Sequence, residues 1–180
     1  YLSRLHLQNC NLTKIPPEIC KLQNLHTIDF SWNYISELPQ EIAQIQSLSA
    51  IWAKHNNFSE IPSVISSMPN ITFLMFARNH ISEIPNWLHT LKKLSNFDIE
   101  NNKLTEIDLR ILEMPKIWHV NFALNRIRHL PNIVHFSPTL QILQIEGNYI
   151  GEIPKIFIEF AEEKTARLDE QRMFDRCVVC

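Results

Sequence analysis

Glycine is nearly missing from this 180-residue chain, which contains only two. A phosphate-cradling loop brings its backbone against the ligand through several closely spaced glycines, so no such loop can be built here. Neither sign of charge prevails: 17 Lys and Arg stand against 19 Asp and Glu, for a net charge of −2. Binding to nucleic acid or to lipid headgroups draws on an excess of basic residues that this balance does not supply. No apolar run approaches the roughly 18 to 20 residues of a membrane span, although 45% of the residues are apolar. The eight histidines are scattered, and no Ser or Cys nucleophile stands with a base and an orienting acid. Neither catalysis nor a cofactor or metal is expected.

What the chain does have is a period. Leu2, Leu25, Leu48, Ile71, Leu94, Ile117 and Leu140 follow one another at a constant interval of 23 residues. Three residues on stand Leu5, Ile28, Ile51, Leu74, Phe97, Val120 and Leu143, and two further on Leu7, Phe30, Ala53, Phe76, Ile99, Phe122 and Ile145. Apolar residues alternating with polar ones define a half-buried strand, so each unit supplies one short strand. The eighth position after each opening residue reads Cys10, Asn33, Asn56, Asn79, Asn102, Asn125 and Asn148. An inward amide there can pair backbone groups of its own and the adjoining turn, each of which would cost about 1 to 3 kcal/mol if buried unpaired. Five units then carry apolar pairs three apart: Ile19 and Leu22, Ile42 and Ile45, Ile65 and Met68, Leu88 and Leu91, Ile111 and Met114. That spacing predicts a helical or 3₁₀ turn behind each strand. The sixth unit, with Val134, Ser137 and Pro138, is expected to be extended there.

The pattern resembles that of leucine-rich repeats, whose signature includes the Asn-or-Cys column. Units ending at Ile15-Pro16, Leu38-Pro39, Ile61-Pro62, Ile84-Pro85, Leu130-Pro131 and Ile153-Pro154 look like the intracellular 23-residue class of Ras-suppressor, Scribble-type and Ras-pathway scaffold proteins. The fifth unit departs, with Ile107 followed by Asp108. The resemblance implies an α/β leucine-rich-repeat solenoid, with a curved parallel sheet on its concave face and short helical or 3₁₀ turns on its convex face. One unit cannot repay the ordering of its own backbone, so units stack and share apolar faces, and the ends need caps. The expected organisation is seven repeats over 1–154, a C-terminal helical cap over 155–176 and a tail over 177–180. Ile156, Phe157, Phe160, Ala161, Ala166, Leu168 and Phe174 form the cap's apolar stripe among charged residues. Because Tyr1 runs directly into the first strand, further repeats or a cap are expected before it.

In such a solenoid function belongs to the residues between the buried pairs of each strand. The outward columns bring large apolar residues together in repeats two to four: Trp32, Trp52, Phe73 and Met75, with Lys54, His55 and Arg78 beside them and Asp98 and Glu100 on the other side. Solvent-facing aromatics ringed by charge are the composition of a protein-binding hot spot, so these nine residues are the candidate partner site. The expected function is that of a non-catalytic scaffold or adaptor. By resemblance its partner is a small GTPase or phosphatase subunit, in Ras-type signalling. Two alternatives stay open: the recognition region of a longer kinase or ubiquitin ligase, and an extracellular receptor.

Cys10 falls in the ladder column and Cys20 on the first convex turn. Neither occupies the disulfide-cap position usual in extracellular members, so a cytoplasmic protein is expected. Asn11-Leu12-Thr13, Asn57-Phe58-Ser59 and Asn70-Ile71-Thr72 match the glycosylation acceptor motif. The last four residues, Cys177-Val178-Val179-Cys180, have the form of a prenylation signal, with Cys177 as acceptor, but end in an unusual residue. A plain tail is a second reading and a zinc or redox Cys-x-x-Cys a third, disfavoured because a structural metal site takes four ligands; membrane association follows only from the lipid.

Overall fold

The computed structural model describes residues 1–132 and 135–171. Among them are seven strands of three residues each: β1 Arg4–His6, β2 Thr27–Asp29, β3 Ala50–Trp52, β4 Phe73–Met75, β5 Asn96–Asp98, β6 His119–Asn121 and β7 Ile142–Gln144. They form one parallel sheet in chain order. Every pairing joins residues 23 apart, so that Arg4, Thr27, Ala50, Phe73, Asn96, His119 and Ile142 make one continuous row. The fold is a leucine-rich-repeat solenoid.

The inward columns fill the core. Ile28, Ile51, Leu74 and Val120 are fully buried, as are Phe30, Phe58, Phe76 and Phe122. Phe58 meets Phe76 edge to face at 5.3 Å between ring centres, an arrangement that suits the ring quadrupoles. The first repeat is less covered, and Leu2 is exposed.

Behind the sheet, 3₁₀ turns span Pro17–Lys21, Gln40–Gln44, Ser63–Ser67 and Leu88–Thr90. Each drives an apolar residue (Ile19, Ile42, Ile65 or Leu88) into the core. Proline starts three of these turns, at Pro16, Pro39 and Pro62. In the fifth repeat Asp108 does that work differently. Its side chain accepts from the Arg110 N–H and caps a short α-helix, α1, Leu109–Leu112. Arg110 also closes an ion pair of 2.6 Å onto Asp108. Burial pushes the Asp108 carboxyl up, but the Arg110 hydrogen bonds and charge outweigh it and hold the group below the usual carboxylate range. The described part of the sixth repeat's outer segment carries no helix.

The asparagine column forms a ladder. Asn79 Oδ1 accepts from Phe58 N–H of the preceding repeat, while its amide donates to Ala53 O, Phe76 O and Ala77 O. Asn33, Asn56, Asn102, Asn125 and Asn148 repeat the scheme. Cys10 takes the first place in the ladder, with its thiol on Gln8 O.

The second helix, α2, spans Lys155–Gln171. It buries Phe157 and Phe160 against the last repeats. Phe136 takes the edge of Phe157 at 5.0 Å and packs on Phe160 at 4.3 Å. No helix among the described residues is long and apolar enough to cross a membrane. Val134, Phe174 and the Cys177-to-Cys180 tail lie outside the described residues, as do the side chains of Ala166 and Leu168.

Candidate functional site on the concave sheet

The nine candidate residues separate into three groups. Trp52 and Phe73 stand on the floor of a concave groove of about 410 Å³, lined also by Arg4, His6, Thr27, Asp29 and Ala50. Phe73 is 37% exposed and Trp52 half-buried, so both present ring surface to solvent. Lys54 Nζ lies 5.9 Å from the centre of the Trp52 ring, a favourable position for a cation.

The second group stands on one edge of the sheet. Trp32, 57% exposed, stacks on His55 with ring centres 3.4 Å apart and planes 14° off parallel. Arg78 follows in the next repeat. All three have positive φ, 60°, 53° and 58°, as do Asn9, Asn101, Leu124 and Gly147 in the same column. That left-handed turn, costing about 1 to 2 kcal/mol for a residue with a side chain, is imposed by stacking: Trp32 N–H bonds Lys54 O, His55 N–H bonds Ala77 O and Arg78 N–H bonds Glu100 O. The His55 imidazole is held below its ordinary pKa, first by burial and then by the charges of Arg78 and Lys54.

The third group corrects the expectation of one solvent-facing cluster. Met75 is only 7% exposed; it lies in register between Trp52 and Asp98, and its strand is bridged by Lys54, whose Nζ reaches Asp98 Oδ2 at 2.6 Å. Asp98 is itself 5% exposed, and its other oxygen accepts from Glu100 N–H. Met75 and Asp98 therefore belong to the floor's own packing. Glu100 is half-buried, with Asn121 Nδ2 donating to it at 3.4 Å. Cys177, the candidate lipid acceptor, lies outside the described residues.

Arg4, His6, Thr27 and Asp29 are not among the nine candidate residues, and the groove is built from them as much as from the aromatics. Gln8 ties Asp29 at 2.6 Å, and Ser31 N–H holds the other Asp29 oxygen. Arg4 is exposed, and its side chain has no hydrogen-bond or ion-pair partner among the described residues. No group of His, Cys, Asp and Glu suited to a metal occurs among the described residues.

An open curved sheet with aromatics on its floor, backed by short turns and closed by a helix, is the leucine-rich-repeat fold, one typical of protein-protein interaction modules. The family model for the leucine rich repeat matches residues 1–58. No curated protein matches the sequence. Among solved structures, a leucine-rich-repeat protein of Leptospira interrogans is similar with a TM-score of 0.76 and 25% identity, over 84% of this chain and 38% of that one. The functional domain of InlJ from Listeria monocytogenes, which includes a cysteine ladder, is similar with a TM-score of 0.64 and 18% identity over 85% of this chain and 36% of that one. TLR13, solved in complex with ssRNA13, is similar at 0.70 and 24% identity over 82% of this chain and 22% of that one. The chain thus spans less than two fifths of each of these structures.

Proposed function

We propose that this protein is a non-catalytic interaction module that binds a segment of a partner protein on its concave sheet, with Trp52 and Phe73 as the anchors the partner buries. The observation that carries the reading is the groove itself. Two aromatic rings are left open on a sheet whose neighbouring Met75 and Asp98 are covered. Covering a large apolar side chain yields about 1.5 to 3 kcal/mol, so two rings and a polar rim supply the anchor and orientation that protein interfaces use. The fold supports it too, being one typical of protein-protein interaction modules.

The scaffold role in Ras-type signalling, with a small GTPase or phosphatase subunit as partner, rests on the likeness of the Ile-Pro repeat ending and forms the finer part of the proposal. A cytoplasmic setting is proposed from the ladder and convex-turn positions of Cys10 and Cys20. Membrane attachment belongs to the proposal only through a lipid on Cys177. Mass spectrometry of the protein from its native cell tests that lipid, and an unmodified Cys177 with the last three residues attached rules it out.

The test of the binding face is selection of random twelve-residue peptides displayed on phage, on wild type and on Trp52→Ala/Phe73→Ala. Binders enriched on wild type should lose the double variant, while its melting midpoint stays within a few degrees, as surface changes do. Equal enrichment on both proteins moves the interface elsewhere.

A further inference from the structure

The concave face is electrically polar along the solenoid. Over the first four repeats its outward columns hold Arg4, Lys54 and Arg78 against the single carboxylate of Asp29; over the last three they hold Asp98, Glu100 and Glu146 with no Lys or Arg. Part of this is settled internally, since Lys54 neutralises Asp98 and Gln8 occupies Asp29. What is left open is Arg4 in the groove, Arg78 on the rim, and Glu100 and Glu146 towards the other end of the concave face.

The row that carries this pair reads Lys54, Ala77, Glu100, Ala123, Glu146, with charged residues alternating with alanine. Both alanines are buried. Lys54 reaches past Ala77 to a carboxylate on β5, so one such notch is spanned by a cation of the chain's own. Over Ala123, among the described residues, no cation pairs with Glu100 or Glu146. Glu146 shows the deficit directly. Its Oε1 accepts a long bond of 3.5 Å from Gln144, and its Oε2 is shut from solvent with no hydrogen-bond partner. A carboxylate oxygen left so is costly and calls for a donor.

We infer that the concave face selects a polypeptide segment of defined charge order: an acidic residue at Arg4, an apolar side chain on Trp52 and Phe73, and a Lys or Arg in the notch between Glu100 and Glu146. The inference rests on the binding face proposed above and adds to it the chemistry of the occupant. Strands about 4.8 Å apart and residues about 3.3 Å apart along them put the acidic end about 13 Å from the apolar anchor and the basic end about 16 Å beyond it. An extended chain covers these spans in about four and about five residues. The segment therefore crosses the strands obliquely.

The same displayed library tests it, with three further proteins: Arg4→Glu, Glu100→Lys/Glu146→Lys, and Glu146→Gln as a variant of unchanged shape. Peptides enriched on wild type should carry an acid and a base on opposite sides of an apolar residue at about those spacings. Arg4→Glu should replace the acid by a base, and the double Lys variant should replace the base by an acid. Glu146→Gln should weaken a selected synthetic peptide about tenfold, and a version of that peptide with its base removed should lose the difference. Peptides that depend on Trp52 and Phe73 yet show the same charges on every protein overturn the charge order and leave the binding face standing. Failure to enrich any peptide that depends on those two rings overturns both.

Discussion

Lys54, two residues past β3, and Asp98, on β5, belong to repeats that are not neighbours, yet their charged atoms are 2.6 Å apart, so the ion pair bridges the repeat of β4 between them. Asp98 is nearly buried while Lys54 keeps about a third of its side chain in solvent, with side-chain exposures of 7% and 34%. Removing the lysine leaves a covered carboxylate with the Glu100 N–H as its remaining donor. Lys54→Met should cost about 1 to 2 kcal/mol in urea unfolding. Asp98→Asn on that background should cost less than it does alone, and a cycle with no coupling would deny the pair any structural part.

The asparagine ladder should show a graded dependence on position. Asn79→Ala strands Phe58 N–H and the carbonyls of Ala53 and Phe76, so a loss of about 3 kcal/mol or more is expected. Asn148→Ala, in the half-buried last rung, should cost clearly less. Asn79→Cys should fall between wild type and Asn79→Ala, since a cysteine already serves in the first rung. Equal losses at Asn79 and Asn148, measured by thermal melting, would contradict the burial argument.

His55 should report on its stack by pH. Its folded value lies below the ordinary imidazole one, so the folded state resists a proton that the unfolded chain accepts. Stability from this group is complete above about pH 6.5 and is lost as pH falls through the depressed folded value. An NMR titration should therefore find His55 below the peptide value, and Arg78→Gln should raise it. Fluorescence of Trp32 should change along the same curve, because the two rings are in contact.

The C-terminal helix is held by aromatics rather than by its charges. Phe157→Ala removes a fully buried ring that meets Phe136, and about 3 to 5 kcal/mol should be lost. Ile158→Ala, on the exposed face of the same turn, should leave the melting midpoint nearly where it was.

The period made the buried half of the molecule legible. Ile28, Ile51 and Leu74 are core residues because each recurs at the same point of a strand, and Asn56 and Asn79 could be assigned to backbone pairing on the same ground. The outward half was legible only in direction. Met75 stands in the same column as Trp52, and nothing within its own repeat tells that Lys54 and Asp98 close over its strand; that depends on residues one strand away on either side. The positive φ of Trp32, Arg78 and Leu124 was hidden for another reason. None of these residue types favours that conformation, so no local propensity announces it. At Asp108 the missing proline looked like a flaw, and the side chain proved to be a helix cap.

Because hydrogen bonds between coils fix the backbone of the row through Asn9, Trp32, His55, Arg78, Asn101 and Leu124 whatever side chain is attached, that rim works like a rack of identical sockets. Its occupants can be exchanged to alter what the molecule recognises while the interior goes untouched, and a grafting experiment would do well to start there.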